Sequence, residues 1–192
     1  MLSVVHEKGR LCVLVLIGVL LLLPQQARPQ YPSNVENVSL NATLAESLTV
    51  TTSAPSVSFT PLLALGITSG APSVPITTTW VLRPNRGTVK LVGYFDSTNA
   101  LTDLGPPVAN ITSARVEGQV PGGTPTTFTP FTQTVPGIGT ANASLELFSE
   151  DVTGQNKNKT RNDILDLQIN LTGVDQPAGV YTGTLRIQAI AN

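Results

Sequence analysis

The last thirty residues constrain this chain more than any other stretch. There Leu165, Leu167, Ile169 and Leu171 alternate with Asp166, Gln168 and Asn170. A turn-rich link follows, Gly173-Val174-Asp175-Gln176-Pro177-Ala178-Gly179, and then Tyr181, Leu185, Ile187 and Ala189 are set against Thr182, Thr184, Arg186 and Gln188. A period of two puts every second side chain on one face of an extended strand, so each stretch predicts a strand with one buried and one wetted face. Joined by the link they read as a terminal hairpin. A lone hairpin is not stable in water, so the rest of the chain must supply a sheet to face it.

That sheet is legible upstream. Residues 74–82, which contain Trp80, form an apolar-rich strand ended by Arg83-Pro84-Asn85-Arg86-Gly87, a strong turn signal. Residues 89–95 follow as its hairpin partner, with Val89, Leu91, Gly93 and Phe95 on one face and Lys90, Val92 and Tyr94 on the other. Further strands are expected over residues 57–59, 113–120 and 144–148. Residues 96–107 read as a polar, turn-rich connection, residues 121–139 as the least ordered part, and residues 151–162 as a hydrophilic loop carrying Lys157, Lys159 and Arg161. Sixteen glycines and fifteen prolines, with many Thr, Ser and Val and no extended 3.6-residue stripe, favour eight or nine short strands in one all-β domain. A two-sheet sandwich fits that spacing better than a barrel.

The start of the chain has another character. His6, Lys8 and Arg10 precede an unbroken apolar run of thirteen residues, Leu11 to Leu23, closed by Pro24. Such a run is too short for a bilayer span, which needs ~20 residues, and matches the core of a signal peptide. Residues 1–27 are therefore expected to be a signal peptide, residues 28–46 an N-terminal arm or first strand, and residues 47–192 the sandwich domain. The only cysteine, Cys12, and the only histidine, His6, both lie in the leader. Beyond it there is no thiol nucleophile, no imidazole and no disulfide, and the usual catalytic triads have no members. With 11 basic and 12 acidic residues in the whole chain, net charge −1, no field exists to attract nucleic acid or an anionic membrane.

At Asp175-Gln176-Pro177-Ala178-Gly179-Val180-Tyr181 the sequence resembles the tyrosine corner of immunoglobulin-like sandwiches, whose Tyr hydroxyl bonds back across the turn. Tyr181-Thr182-Gly183-Thr184-Leu185 resembles the closing strand of secreted bacterial spore-coat-U and fimbrial-subunit-type domains. Trp80-Val81-Leu82-Arg83-Pro84, Val89-Lys90-Leu91 and Tyr94-Phe95-Asp96-Ser97 are similar to a group of exported bacterial proteins. Many fimbrial and spore-coat-U domains carry a disulfide, a point at which this chain departs from them. The resemblance implies an all-β, immunoglobulin-like two-sheet sandwich preceded by a signal peptide, with Tyr181 as a structural residue. It also implies a secreted, periplasmic or cell-surface location and a structural or adhesive role without enzymatic activity.

The residues themselves leave other readings open. Glu146, Glu150, Asp151, Asp163 and Asp166 cluster in sequence, and a glycosidase would need two such carboxylates facing one cleft. They sit at strand ends and on the wet face, where charges belong in any case, so no catalytic residue is assigned. Asp151, Asn156, Asn158 and Asp163 carry oxygens suited to Ca²⁺, but Lys157, Lys159 and Arg161 lie among them and oppose a cation. No metal or cofactor is expected. Trp80 and Tyr94 are the residues on which a sugar ring could stack in a carbohydrate-binding module, although a lone strand Trp is more often core. Six Asn-x-Ser/Thr triplets decide nothing alone. Val38, Leu40, Ala42 and Leu44 alternate with Ser39, Asn41 and Thr43. That stretch is either the molecule's own first strand, the favoured reading, or an arm that completes a neighbour's sheet. The partners expected are a protein or a surface polysaccharide, with self-association an open possibility.

Overall fold

Along Val74–Val81 the β-branched and aromatic side chains of Val74, Ile76 and Trp80, with Thr78 between them, face one way and are buried, while Pro75, Thr77, Thr79 and Val81 face the other. The same inside–outside alternation recurs in strand after strand of the computed structural model, which describes Tyr31 and residues 33–192. The strands are β1 (Ser47–Thr52), β2 (Ile67–Ser69), β3 (Val74–Val81), β4 (Thr88–Tyr94), β5 (Asn99–Asp103), β6 (Ala109–Thr112), β7 (Val116–Gln119), β8 (Thr129–Pro130), β9 (Ser144–Asp151), β10 (Asn158–Asn170) and β11 (Arg186–Ala191). A single turn of 3₁₀ helix, Ser113–Arg115, leads into β7. Among the described residues there is no α-helix, and no helix is long and apolar enough to cross a membrane.

Residues 43–192 make one all-β, antiparallel sandwich. The larger sheet has the order β1-β3-β10-β7-β8, with β2 also pairing with β10. The smaller sheet has the order β11-β4-β9, and β5 and β6 form a separate two-stranded ladder. Between the two main sheets lies one core, in which Ile76, Trp80, Leu165 and Ile169 of the larger sheet meet Val89, Leu91, Leu145 and Leu147 of the smaller. The expected signal peptide lies outside the described residues. Of the part before Thr43, the described residues carry no helix or strand.

The structure revises several pairings expected from sequence. β3 and β4 are not a hairpin: β3 pairs with β1 and β10, and β4 pairs with β9 and β11. The turn after Leu82 instead carries the chain from one sheet to the other. The terminal strands are not a hairpin either, because β10 belongs to the larger sheet and β11 to the smaller. Alternation specifies which face of a strand is buried and leaves its neighbour unspecified, so both errors have one cause.

Boundaries move as well. β10 already begins at Asn158, inside the expected hydrophilic loop, and β11 begins only at Arg186. The polar stretch 96–107 contains β5, which pairs with β6. Residues 57–59 contribute a single bridge, Ser58 to Ala71, rather than a strand. Residues 121–139 are tied down. Thr124 N donates to Leu147 O at 2.9 Å, Gln133 and Ser144 exchange both backbone bonds, and Phe131 is fully buried.

Residues 33–46 belong to no strand; the first strand starts at Ser47. Its start is held by Glu46, whose Oε1 accepts from Arg83 N and whose Oε2 accepts from Arg86 Nη2, both at 2.8 Å. These two donors hold the Glu46 carboxyl down at about 2. Because the folded carboxyl titrates below its ordinary 4.5, the contact is complete above 4.5 and is lost as pH falls toward about 2. A carboxyl-detected NMR titration is expected to place Glu46 near 2, and Arg86→Ala to move its midpoint up toward 4.5. A wild-type midpoint already at 4.5 would show that the clamp does not form in solution.

Candidate functional site

The two sheets do not close evenly along their flank. β1 stops at Thr52, in register with Ile76, and β11 does not begin until Arg186, opposite Tyr94. Beyond these ends the flank is walled by irregular chain, residues 53–62 on one side and 179–185 on the other. Pro55 and Pro61 interrupt the first segment, and Gly179 and Gly183 loosen the second. Gly183 passes so close to the Ala100 carbonyl that a Cβ there would collide with it.

The result is a groove of about 920 Å³. Its floor is the apolar interior of the larger sheet, with Val74, Val116, Leu167 and Ile169. Its walls are Val57, Phe59 and Leu62 on one side and Tyr181, Leu185 and Ile187 on the other. No charged residue lines it. Tyr181 fixes the wall: its hydroxyl donates to the Pro177 carbonyl at 2.7 Å and accepts from Gln176 Nε2 at 2.8 Å. Thr182 exchanges both backbone bonds with Thr102, and no other backbone–backbone bond of residues 179–185 is formed among the described residues. The wall is therefore irregular chain held by a single bridge beside an apolar trough.

Beyond Val74, opposite Ile76 to Trp80 of β3, the interior turns ionic. Arg161 clasps Asp163 with Nε, which donates to Oδ2 at 2.8 Å and to Oδ1 at 3.1 Å, and with Nη2, which donates to Oδ1 at 2.9 Å and also to Gly122 O at 2.7 Å. Its guanidinium lies 4.6 Å from the centre of the Phe148 ring, a cation–π distance. Asp163 holds Arg161 more firmly protonated than an ordinary arginine, against the opposing effect of burial. Beside them Glu150 accepts from Lys159 Nζ at 2.5 Å and Asn156 Nδ2 at 2.8 Å. Burial pushes the Glu150 carboxyl up, but these bonds and the charges of Lys159 and Arg161 outweigh it and leave the carboxyl below its usual range.

The carboxylates singled out in the sequence are thus spread among separate partners. Glu146 pairs with Lys90 at 2.7 Å, Asp166 accepts from Ser73 Oγ, and Asp151 ends β9 in solvent. Glu150 and Asp163 do approach each other, but with Arg161 between them as a common counter-ion. Asn156 spends its side chain on its own turn, accepting from Thr153 N and donating to Asp151 O, while Asn158 opens β10 exposed. Such an arrangement neutralises Glu146, Glu150 and Asp163 with cationic partners and brings no two of the five carboxylates together across an open cleft.

Trp80 is 1% exposed, donates from Nε1 to Asn156 O at 2.8 Å and packs beside Phe148. It belongs to the core and offers no face to a ligand. Tyr94 is half-buried on the outer face of β4, its ring covering Gly139. Val38, Leu40, Ala42 and Leu44 lie outside every strand, and Leu40 is 90% exposed. The groove itself was missed in the sequence. Its signal was present in the proline-punctuated apolar run 54–62 and in Gly183 interrupting the alternation after Tyr181. No protein-family model and no curated protein matches this sequence.

Trp80 is the only tryptophan, so its emission reports the core directly. The maximum is expected to stay short-wavelength and unmoved by added polysaccharide, and to shift red only on unfolding. A shift at non-denaturing polysaccharide concentrations would put the ring at the surface after all. Asp163→Asn leaves the partly buried Arg161 without its nearest counter-charge and should cost about 2 kcal/mol, read as a lower urea midpoint at unchanged slope.

Proposed function

We propose that the protein is an exported, non-enzymatic, immunoglobulin-like sandwich with a structural or adhesive role at the cell surface, in a coat or in a fimbria-like assembly. The apolar leader run supports export. The observation that carries the role is the pairing of an exposed, uncharged, alternating segment at residues 38–44 with a sandwich whose flank offers sparsely bonded backbone and an uncharged apolar groove. Exposed apolar side chains at this density mark a surface that is covered in the working state. A free strand edge is covered most readily by another strand. A carbohydrate-binding module would require an aromatic platform, and the burial of Trp80 leaves the half-buried Tyr94 and the exposed Tyr31 rather than a tryptophan face.

Light scattering tests the reading. The exported protein is expected to form dimers or larger species in the micromolar range. The variant Leu40→Asp/Leu44→Asp is expected to be monomeric with an unchanged thermal midpoint, because both side chains are solvent-exposed. A wild-type protein that stays monomeric up to several hundred micromolar would remove self-association from the role.

A further inference from the structure

We propose that the groove between residues 53–62 and 179–185 binds an uncharged amphiphile, a molecule with an apolar chain and a neutral hydroxyl or ester head. The inference goes beyond the assembly reading above, to which it leaves residues 38–44 and the strand edges.

The walls decide what kind of occupant can be held. At about 920 Å³ the groove lies within the range of small-molecule sites, ~300–1,000 Å³. Both walls are irregular chain, and among the described residues the Thr182–Thr102 pair is the only backbone–backbone contact of residues 179–185. Such walls offer no regular ladder to a peptide, so an occupant must be held through side chains. Those side chains are apolar: Phe59 and Leu62 on one wall and Leu185 and Ile187 on the other are all half-buried and line the same trough. Water between them meets few polar partners, and an apolar group that displaces it gains affinity.

Charge decides the head group. No Lys, Arg, His, Asp or Glu lines the groove. A carboxylate, phosphate or ammonium brought into it would lose water without gaining a counter-ion, which is costly. The side-chain polar groups that do line it include hydroxyls on exposed residues, Ser58 and Thr60 on one wall and Thr182 and Thr184 on the other. A hydroxyl both donates and accepts, so it matches an alcohol or an ester without net charge. Below them the floor, Val74, Val116, Leu167 and Ile169, is buried and suits only the chain. The protein's own N-terminal segment is poorly placed to fill the site. Glu46 is fixed beside Arg83 and Arg86, where Ser47 pairs with Val81, and the groove opens beyond Thr52 at the other end of β1.

A fluorescence titration tests this. N-Phenylnaphthylamine, an uncharged apolar dye that brightens out of water, is expected to bind the protein saturably at micromolar concentrations. Decanol is expected to displace it at a roughly tenfold lower concentration than decanoate, which has the same chain length and an anionic head. Phe59→Asp and Leu185→Asp, one on each wall, are expected to weaken dye binding by about tenfold or more, with the Trp80 emission of the dye-free protein unchanged. Thr184→Arg changes an exposed position that the fold can spare, and is expected to reverse the order of decanol and decanoate. No saturable uptake by the folded protein, or uptake that neither Asp variant weakens, would overturn the proposal. Equal displacement by decanol and decanoate, or an order that Thr184→Arg leaves unaltered, would do the same. Uptake confined to the Leu40→Asp/Leu44→Asp variant would also sink it, by showing that residues 38–44 fill the groove. The assembly reading stands or falls separately, on light scattering of the unmodified protein.

Discussion

The backbone ladder of β10 is the interaction on which the larger sheet depends. Over its first eight residues it pairs with β3, and over its last residues with β7 on one side and β2 on the other. Removing it would leave β1–β3 and β7–β8 as unconnected pairs, each below the size at which strands are stable alone. Its inward face also changes character along its length, from Arg161 and Asp163 to Leu165, Leu167 and Ile169. One strand thus sets two chemistries along the sandwich, ionic opposite Ile76 to Trp80 of β3 and apolar where the groove opens.

The ionic end is better understood as a device for register than as a source of stability. Ion pairs taken out of water rarely gain more than the apolar packing that could replace them. A slip of one residue in β10, however, would turn Arg161 and the buried Asp163 outward together and bring the exposed Ile164 in, taking Arg161 away from Phe148 and Glu150 of β9. The wrong pairing is penalised electrostatically at one end and by lost packing at the other. The described residues of the sandwich contain no disulfide, so strand register rests on such non-covalent penalties.

Much of the fold was readable from side-chain alternation, and what escaped has a physical reason. Residues 74–82 and the apolar positions Val89, Leu91, Leu165, Leu167, Ile169 and Leu171 show in sequence the buried faces they have in the structure, whereas Val92, Asp163 and Gln168, read as facing outward, are buried too. Their partners do not show, because a ladder is made of backbone groups that are identical at every residue. β5 escaped because Asn99, Thr102 and Asp103 look like turn residues, yet Thr102 is secured by Asn110 across the ladder and by Thr182 on its other side. The buried state of Trp80 followed from its place on an apolar face. The groove did not, since it arises where two strands end, and strand ends are the least legible feature of a sequence.

The distance in sequence between paired strands also governs when the molecule can fold. Ile76 pairs with Asp163, and Val89 with Ala191, so neither main sheet has its ladder until most of the chain exists. At ~5–20 residues per second of synthesis, β3 waits roughly 4–17 s for β10 to be made. Throughout that interval β3 has β1 on one edge, but its other edge is open and Trp80, Ile76 and Val74 lack the sheet that buries them. Closure of this sandwich is therefore a late, whole-chain event, timed by the strands made last. Until then the nascent chain exposes the apolar faces that the finished sandwich buries.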